Sequence, residues 1–424
     1  MFNTFITKLK LTFEDRGLRR RVFFVILILA LFRLGTSIFI PGVDRVALER
    51  FFSDNQFFGL LNIFSGGGLS NLSIMMLGVG PFITASIIIQ LLTLIFPSLK
   101  ELYHEEGAAG RRKMAQYSRL LTVPLALIQG FSLLVLLERQ GVLLPLSMFD
   151  KLAALIVVTA GSVLLMWLGE MISEYGIGNG VSLLIFAGIL AGLPSTITQL
   201  LINFDPGLIP TIIAFLAAAV AIVAAVVVVT EGERPIPITY AKRVRGMKVY
   251  GGISTYLPIR VNNAGVMPII FALSILLFPQ LIANFLGAVN NAIAATVSEW
   301  IFVFINNGWA YSIVYFVLVF AFTFFYSAVT FDPHAISENL QKSGAFIPGI
   351  RPGAQTSDFL AKVLTRLTLV GALFLGMIAM LPLAMQEITG IASLAIGGTS
   401  LLIVVSVALD FMKQVDAQLS MREY

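Results

Sequence analysis

No cysteine occurs anywhere in the 424 residues. That absence removes disulfides, thiolate metal sites and cysteine nucleophiles together. Charge is scarce as well: Asp, Glu, Lys and Arg make up 12% of the chain, against about 25% in a soluble domain. Only two histidines are present, His104 and His334. The run "HEEGA" at 104–108 opens like a zinc-protease motif but lacks its second histidine. "GGTS" at 397–400 has no lysine to grip a phosphate, and "GIGNG" at 176–180 carries Asn where an intramembrane protease needs an acid. A serine elbow and a Walker lysine are also missing. With no nucleophile, acid pair or metal ligands in place, neither an enzyme nor a metal or other cofactor is expected.

What the chain has in abundance is apolar sequence. Hydrophobic residues reach 58% and the mean hydropathy is +0.92. Apolar runs fall near 22–40, 74–96, 118–137, 152–172, 181–202, 208–230, 264–286, 309–331, 367–386 and 391–411. Each holds roughly 20 residues, enough for about 30 Å of hydrocarbon at 1.5 Å per residue. Backbone groups in lipid must bond within their own segment, so the ten runs are expected to be helices, even the β-branched "VAIVAAVVVVT" at 220–230. Residues 1–21 are amphipathic and basic, with no apolar core of a signal peptide, and read as a retained cytoplasmic leader.

Basic residues orient the spans. Of the 28 Lys and Arg, only Arg45, Arg50, Arg139 and Lys151 fall on the outer side if the N-terminus is inside, and Arg33 lies in the first span. The others sit in cytoplasmic segments, so both termini are expected inside. Ionisable groups are sparse within the spans. Arg33 can snorkel outward, and Glu170, Glu174 and Asp410 stand near cytoplasmic ends. A proton-coupled transporter buries such groups near the midplane, which this sequence does not do. Ten spans with a long loop after the sixth suggest two halves of five, 22–202 and 208–411, followed by a tail at 412–424. An odd number per half permits inverted repeats around a central pathway.

Two cytoplasmic loops, 231–260 and 332–366, exceed what a helix connection needs. The first alternates around Ile236, Ile238, Tyr240 and Val249, with "RVRG" between, and reads as a β-hairpin with a basic tip. The second is rich in Gly and Pro and reads as an ordered, irregular loop. A third oddity is "NIFSGGGLSNLSI" at 62–74, too polar for lipid yet leading straight into a spanning run.

These motifs converge on a family. "IPGVD" (40–44), "NIFSGGGLSNLSI" (62–74), "PFITASIIIQLLT" (81–93), "EEGAAGRRKMAQYSRLLT" (105–122), "YGIGNGVSLLIFAGI" (175–189), "YAKR" (240–243), "VNNAGVMPIIFA" (261–272), "KSGAFIPGIRPG" (342–353), "TRLTLVGALFLG" (365–376) and "GGTSLLIVV" (397–405) follow one another in family order. Over its whole length the chain resembles the SecY family, the central subunits of the bacterial protein-conducting channel.

The resemblance implies an all-α polytopic membrane protein of ten transmembrane helices. They form two pseudo-symmetric inverted halves, 1–5 and 6–10, around a central pore, with a re-entrant plug helix at about 62–73. The plug would comprise Ser65, Gly66, Gly67, Gly68, Leu69, Ser70, Asn71 and Ser73. Sheltered by protein and water, such a segment need not touch lipid. The family's pore ring falls on Ile83 and Ile87 of the second span, Ile185 and Ile189 of the fifth, Ile270 of the seventh and Ile403 of the tenth. A ring of branched alkyl groups offers an ion no ligands, yet can yield to a passing polypeptide.

A lateral gate is implied between spans 2–3 and 7–8, with Gln90 and Thr93 beside it. Arg243, Arg245 and Arg351 would dock the motor ATPase SecA or a translating ribosome. The further partners implied are the small subunits SecE and SecG, signal peptides, unfolded preproteins and membrane lipid, and the implied location is the bacterial cytoplasmic membrane. The expected function is a passive conduit for secretion of unfolded polypeptides and for lateral insertion of membrane proteins. A small-solute transporter, the other use of ten helices, predicts polar ligands after the Gly80-Pro81 break, where Ile83 and Ile87 stand instead.

Overall fold

The computed structural model describes residues 14–41, 47–48, 62, 65–104, 107–144, 147–202, 209–240, 243–245, 248–250, 254–288, 292–389 and 392–420. Most of the expected leader and the last four residues of the tail lie outside that set. Each of the ten expected spans meets a helix. In chain order these are α1 (Arg16–Gly35), α2 (Gly80–Ile95), α4 (Gly107–Arg139), α5 (Met148–Tyr175), α6 (Gly180–Ile202), α7 (Ile209–Glu231), α8 (Met267–Ala288), α10 (Gly308–Thr330), α12 (Ala354–Thr389) and α13 (Ala392–Ser420). The shorter helices are α3 (Pro97–His104), α9 (Ala292–Asn306) and α11 (Pro333–Lys342). Among the described residues, α4, α5, α10 and α12 contain stretches long and apolar enough to cross a membrane. The 16-residue α2 spans about 24 Å at 1.5 Å per residue.

Local chemistry sets several starts. Asp15 caps α1 by accepting from the Gly17 and Leu18 amides at 2.7 and 3.2 Å. Ser147 caps α5 and Asn307 caps α10 in the same way. Pro81 supplies the first turn of α2, where its missing N–H costs nothing. Buried hydroxyls inside the spans bond back to the preceding turn, as Thr122 does to Ser118 O at 2.7 Å and Thr323 to Val319 O at 2.7 Å.

The helices pack along the chain and across it. Helix α5 joins α1, α4 and α6, while α12 joins α10 and α13. Helices from the first set meet those from the second at two seams. At one, α8 lies against α2 and α4; at the other, α13 lies against α6. The largest apolar cluster runs through both sets, from Val25 and Phe32 of α1 to Ile403 and Val407 of α13.

The hairpin expected of the first long loop is present. Strand β1 (Glu233–Tyr240) pairs antiparallel with β4 (Ser254–Arg260), with Ile236 opposite Leu257. Its tip is a smaller hairpin of β2 (Arg243–Arg245) and β3 (Lys248–Tyr250). The second loop differs from the irregular form expected of it. It holds α11, capped by Asp332, then a two-residue strand, β5 (Ala345–Phe346), and its last residues are the first turns of α12. Strand β5 adds to the free edge of β1, giving the order β4-β1-β5 and uniting the two loops in one sheet. Ile236, Ile259, Ile347 and Leu360 bury a small core beneath it. Helix α9 was not anticipated either. It is apolar enough to hide in a hydropathy pattern, but its 15 residues reach only about 22 Å. Ile293, Trp300 and Val303 stay exposed on it, and Ser298 donates to the Ala283 carbonyl of α8 at 2.8 Å.

Candidate functional site

Four helices bring six isoleucines into one apolar cluster. Ile83 and Ile87 lie one turn apart on α2, Ile185 and Ile189 one turn apart on α6, Ile270 on the first turn of α8, and Ile403 on α13. Spacing of four residues puts each pair on a single helix face. All six are buried, the most exposed being Ile189 at 7%. The helices that carry them are those that form the two seams, α2 with α8 and α6 with α13. Alkyl side chains gathered this way bring neither hydrogen-bonding groups nor charge, so an ion among them loses its hydration without compensation.

Against this cluster lies the polar segment. Residues 65–79 run in successive turns. The second span therefore starts at Gly80, six residues later than expected, and residues 65–73 do not form the expected plug helix; the only earlier plug position described, Asn62, is helical. The backbone explains this. Gly66, Gly67 and Gly78 take φ of 65°, 82° and 59°, and Leu72 takes 42°. Those left-handed angles interrupt any helix. Side chains replace the lost ladder. Asn62 Oδ1 accepts from the Ser70 amide at 2.8 Å, Ser65 Oγ accepts from the Leu69 amide at 2.9 Å, and Ser70 Oγ donates to Gly67 O at 2.9 Å. A short bridge joins Phe39 to Ser73, with the Ile40 amide donating to Leu72 O at 3.0 Å. Ser65, Leu69, Leu72 and Ser73 are nearly fully buried, whereas Ser70 and Asn71 are only partly so.

Sequence reasoning overlooked several neighbours of this segment. Phe32 of α1 and Gly188 of α6 both touch Gly66, Gly161 of α5 touches the Ile74 carbonyl, and Ser162 donates to Gly78 O at 3.0 Å. Nothing in a hydropathy profile distinguishes these glycines from others in a span; their meaning lies in which backbone approaches them. The guanidinium of Arg33, expected to snorkel outward, is exposed and comes near Gly67.

Gln90 and Thr93 sit together on α2, where Thr93 donates to Gln90 O at 2.6 Å. The helix bearing them forms the seam with α8. Gln90 Oε1, Gln129 Nε2 of α4 and Gln280 Oε1 of α8 are all buried with no hydrogen-bond partner among the described residues, each on one of the three helices of that seam. Unpaired buried amides of this kind each cost about 1–3 kcal/mol. One polar bond closes the seam's far end: Arg139 Nη1 of α4 donates to Gly287 O of α8 at 2.9 Å.

The three candidate docking arginines lie on the two long loops, 231–260 and 332–366. Arg243 and Arg245 stand on β2 opposite Tyr250 and Lys248, and their side chains lie outside the described residues. Arg351 is exposed in the connection from β5 to α12, and its carbonyl accepts from Thr356 Oγ1 at 2.9 Å. Nearby, the Lys342 ammonium bonds Glu338 one turn away and holds that carboxyl below its usual range. Glu170, expected near a cytoplasmic helix end, pairs with Arg119 at 2.7 Å and ties α5 to α4. Among the described residues no group of His, Asp and Glu is arranged to hold a metal ion.

Known proteins resemble this chain in sequence and in fold. The family model SecY matches residues 73–412. The protein translocase subunit SecY of Corynebacterium glutamicum is 42% identical over 97% of both chains. That of Synechocystis is 43% identical, covering 97% of this chain and 94% of its own. Among solved structures, a protein-conducting channel aligns over 94% of this chain and 92% of that one, with a TM-score of 0.64 at 20% identity. Sec61 in a canine ribosome–channel complex aligns over the same shares, with a TM-score of 0.60 at 19% identity. Family profile, near-full-length identity and shared fold agree: the chain belongs to the SecY family of protein translocase subunits.

Proposed function

We propose that the six isoleucines form the closed constriction of a protein-conducting pore and that residues 65–73 plug it from the outer side. The chain is a translocase channel subunit, not an enzyme. The observation that carries the reading is the shared burial of side chains from α2, α6, α8 and α13 in one apolar cluster, with a removable-looking run of turns packed over it. A collar of this kind gaskets an extended polypeptide without specific bonding, and excludes water when empty.

The seam of α8 against α2 and α4 supports a lateral gate past Gln90 and Thr93. Its unpaired amides gain hydrogen-bond partners when water or a signal peptide enters, which lowers the cost of parting the helices. A nascent segment of about 20 apolar residues then partitions into lipid, while a polar one continues through.

The united sheet and Arg351 supply the docking surface for a driving partner, a ribosome or SecA. Ribosome-bound structures of the fold, canine Sec61 and yeast Ssh1, favour the former as one such partner. SecE and SecG complete the assembly in the bacterial cytoplasmic membrane, with residues 22–202 and 208–411 as the two halves and both termini inside. Reconstitution tests the whole reading. The chain, purified with its small subunits and placed in liposomes with SecA and ATP, imports an unfolded preprotein; a folded complex that imports none refutes it.

A further inference from the structure

The segment 65–79 rests on α1 and α5, and its tip also meets α6. Its stalk, 74–79, rests on α1 and α5: the Met75 side chain fills the notch at Gly35, the Ile74 carbonyl presses on Gly161, and Ser162 bonds Gly78 O. Its tip touches the constriction through backbone alone. A Cβ built on Gly188 would strike the Cα of Gly66 and stand 3.1 Å from its nitrogen, and one built on Gly66 would stand 3.2 Å from the Cα of Gly188. Gly188 is buried on the α6 turn between Ile185 and Ile189.

We infer that Gly188 is a positioning residue that seats the plug on the ring. With no side chain there, the tip lies directly on the helix turn that carries two of the ring isoleucines. An outward shift of α6 that widens the ring withdraws the tip's backbone contact with that turn in the same movement, while Phe32 of α1 and the stalk's contacts with α1 and α5 stay. Widening therefore loosens the plug as it proceeds. The inference rests on the plug reading of residues 65–73.

The test uses the natural absence of cysteine. In the complete complex, with any partner cysteines replaced, Leu69→Cys gives this chain a single thiol at a site that is 1% exposed. Maleimide labelling in proteoliposomes then reports the tip, and resting conductance in planar bilayers reports the seal. Gly188→Ala should raise both by roughly tenfold or more, the scale of one overpacked methyl in a tight contact. Gly192→Ala, one turn along α6, where a Cβ meets nothing within 4 Å, should leave both at the parent level. Alanine favours the helix over glycine at either position, so propensity cannot account for a difference. Should Gly188→Ala fail to fold, the same substitution in a chain lacking residues 65–73 should fold, because the nearest atoms its Cβ meets all belong to Gly66; failure to fold there as well overturns the seat. Labelling that rises without conductance upholds the seat and removes the plug reading. Conductance that rises without labelling, no change in either, or equal changes with Gly192→Ala overturns the inference.

Discussion

Replacing Ile403 by Asn probes the proposed apolar constriction at a single side chain. Ile403 is 1% exposed, and an open pore would return it to water. Burying an isoleucine side chain is worth about 1.5–3 kcal/mol, which the Asn variant forfeits. An amide left unpaired among alkyl groups costs about 1–3 kcal/mol more. The closed arrangement is thus weakened against a water-filled one by roughly 2.5–6 kcal/mol, so the open fraction rises by about two to four orders of magnitude, up to saturation. Ile403→Val removes one methylene, about 1 kcal/mol, and should raise it only about fivefold. Resting conductance of the purified complex in planar bilayers reads the series, and secretion of a preprotein with a defective signal sequence reads it in cells. Both should follow the order parent, Val, Asn. A folded Asn variant as tight as the parent refutes the constriction, and so does a Val variant that leaks as much as Asn.

Ile83→Asn and Ile83→Gly should leak in the same manner, since Ile83 belongs to the same cluster; tight seals in both variants would remove α2 from the constriction. Deleting residues 65–73 should raise resting conductance while preprotein import persists, and an unchanged seal would leave the segment without a plugging role. Arg351→Glu should reduce motor-driven import with the fold retained, because the exposed guanidinium would no longer pair with partner carboxylate or phosphate; normal SecA-dependent import would strike it from the docking surface. Phe271→Ala should destabilise the chain by about 3–5 kcal/mol, since its fully buried ring meets Phe322 and Tyr326 edge-on at 6.0 and 5.8 Å. Thermal unfolding in detergent measures this, and a loss under about 1 kcal/mol would mean that α8 and α10 repack freely.

Long apolar periods made the spans legible in the sequence, and basic loops suggested their direction. Alternation around Ile236 and Ile238 revealed the hairpin, because a half-buried strand writes itself with a period of two. What hydropathy could not show was where helices stop being membrane and go on being helix. Helix α4 begins at Gly107, α12 at Ala354, and α13 runs on to Ser420, all past their expected limits. Charged residues end a span but not a helix, since Lys, Arg and Glu are good helix formers. Strand β5 was invisible for another reason: two residues carry no period, and Ala345 and Phe346 are extended only because β1 offers them an edge. The six isoleucines came from family resemblance, not from their chemistry, since many other apolar side chains share their burial. Gly188 escaped both routes, because its role depends on a chain approaching from more than a hundred residues away.

Helix α13 has a mechanical consequence. It is one uninterrupted helix from Ala392 to Ser420, carrying Ile403 in its middle. Lys413 on it pairs with Glu231 at the end of α7 at 2.8 Å, and Gln418 accepts from Arg21 of α1 at 3.4 Å. The fifteen steps from Ile403 to Gln418 form a shaft of about 22 Å. A twist applied at its C-terminal end is carried along one continuous helix to the isoleucine, so whatever grips that end can act on the proposed constriction as a crank works a valve.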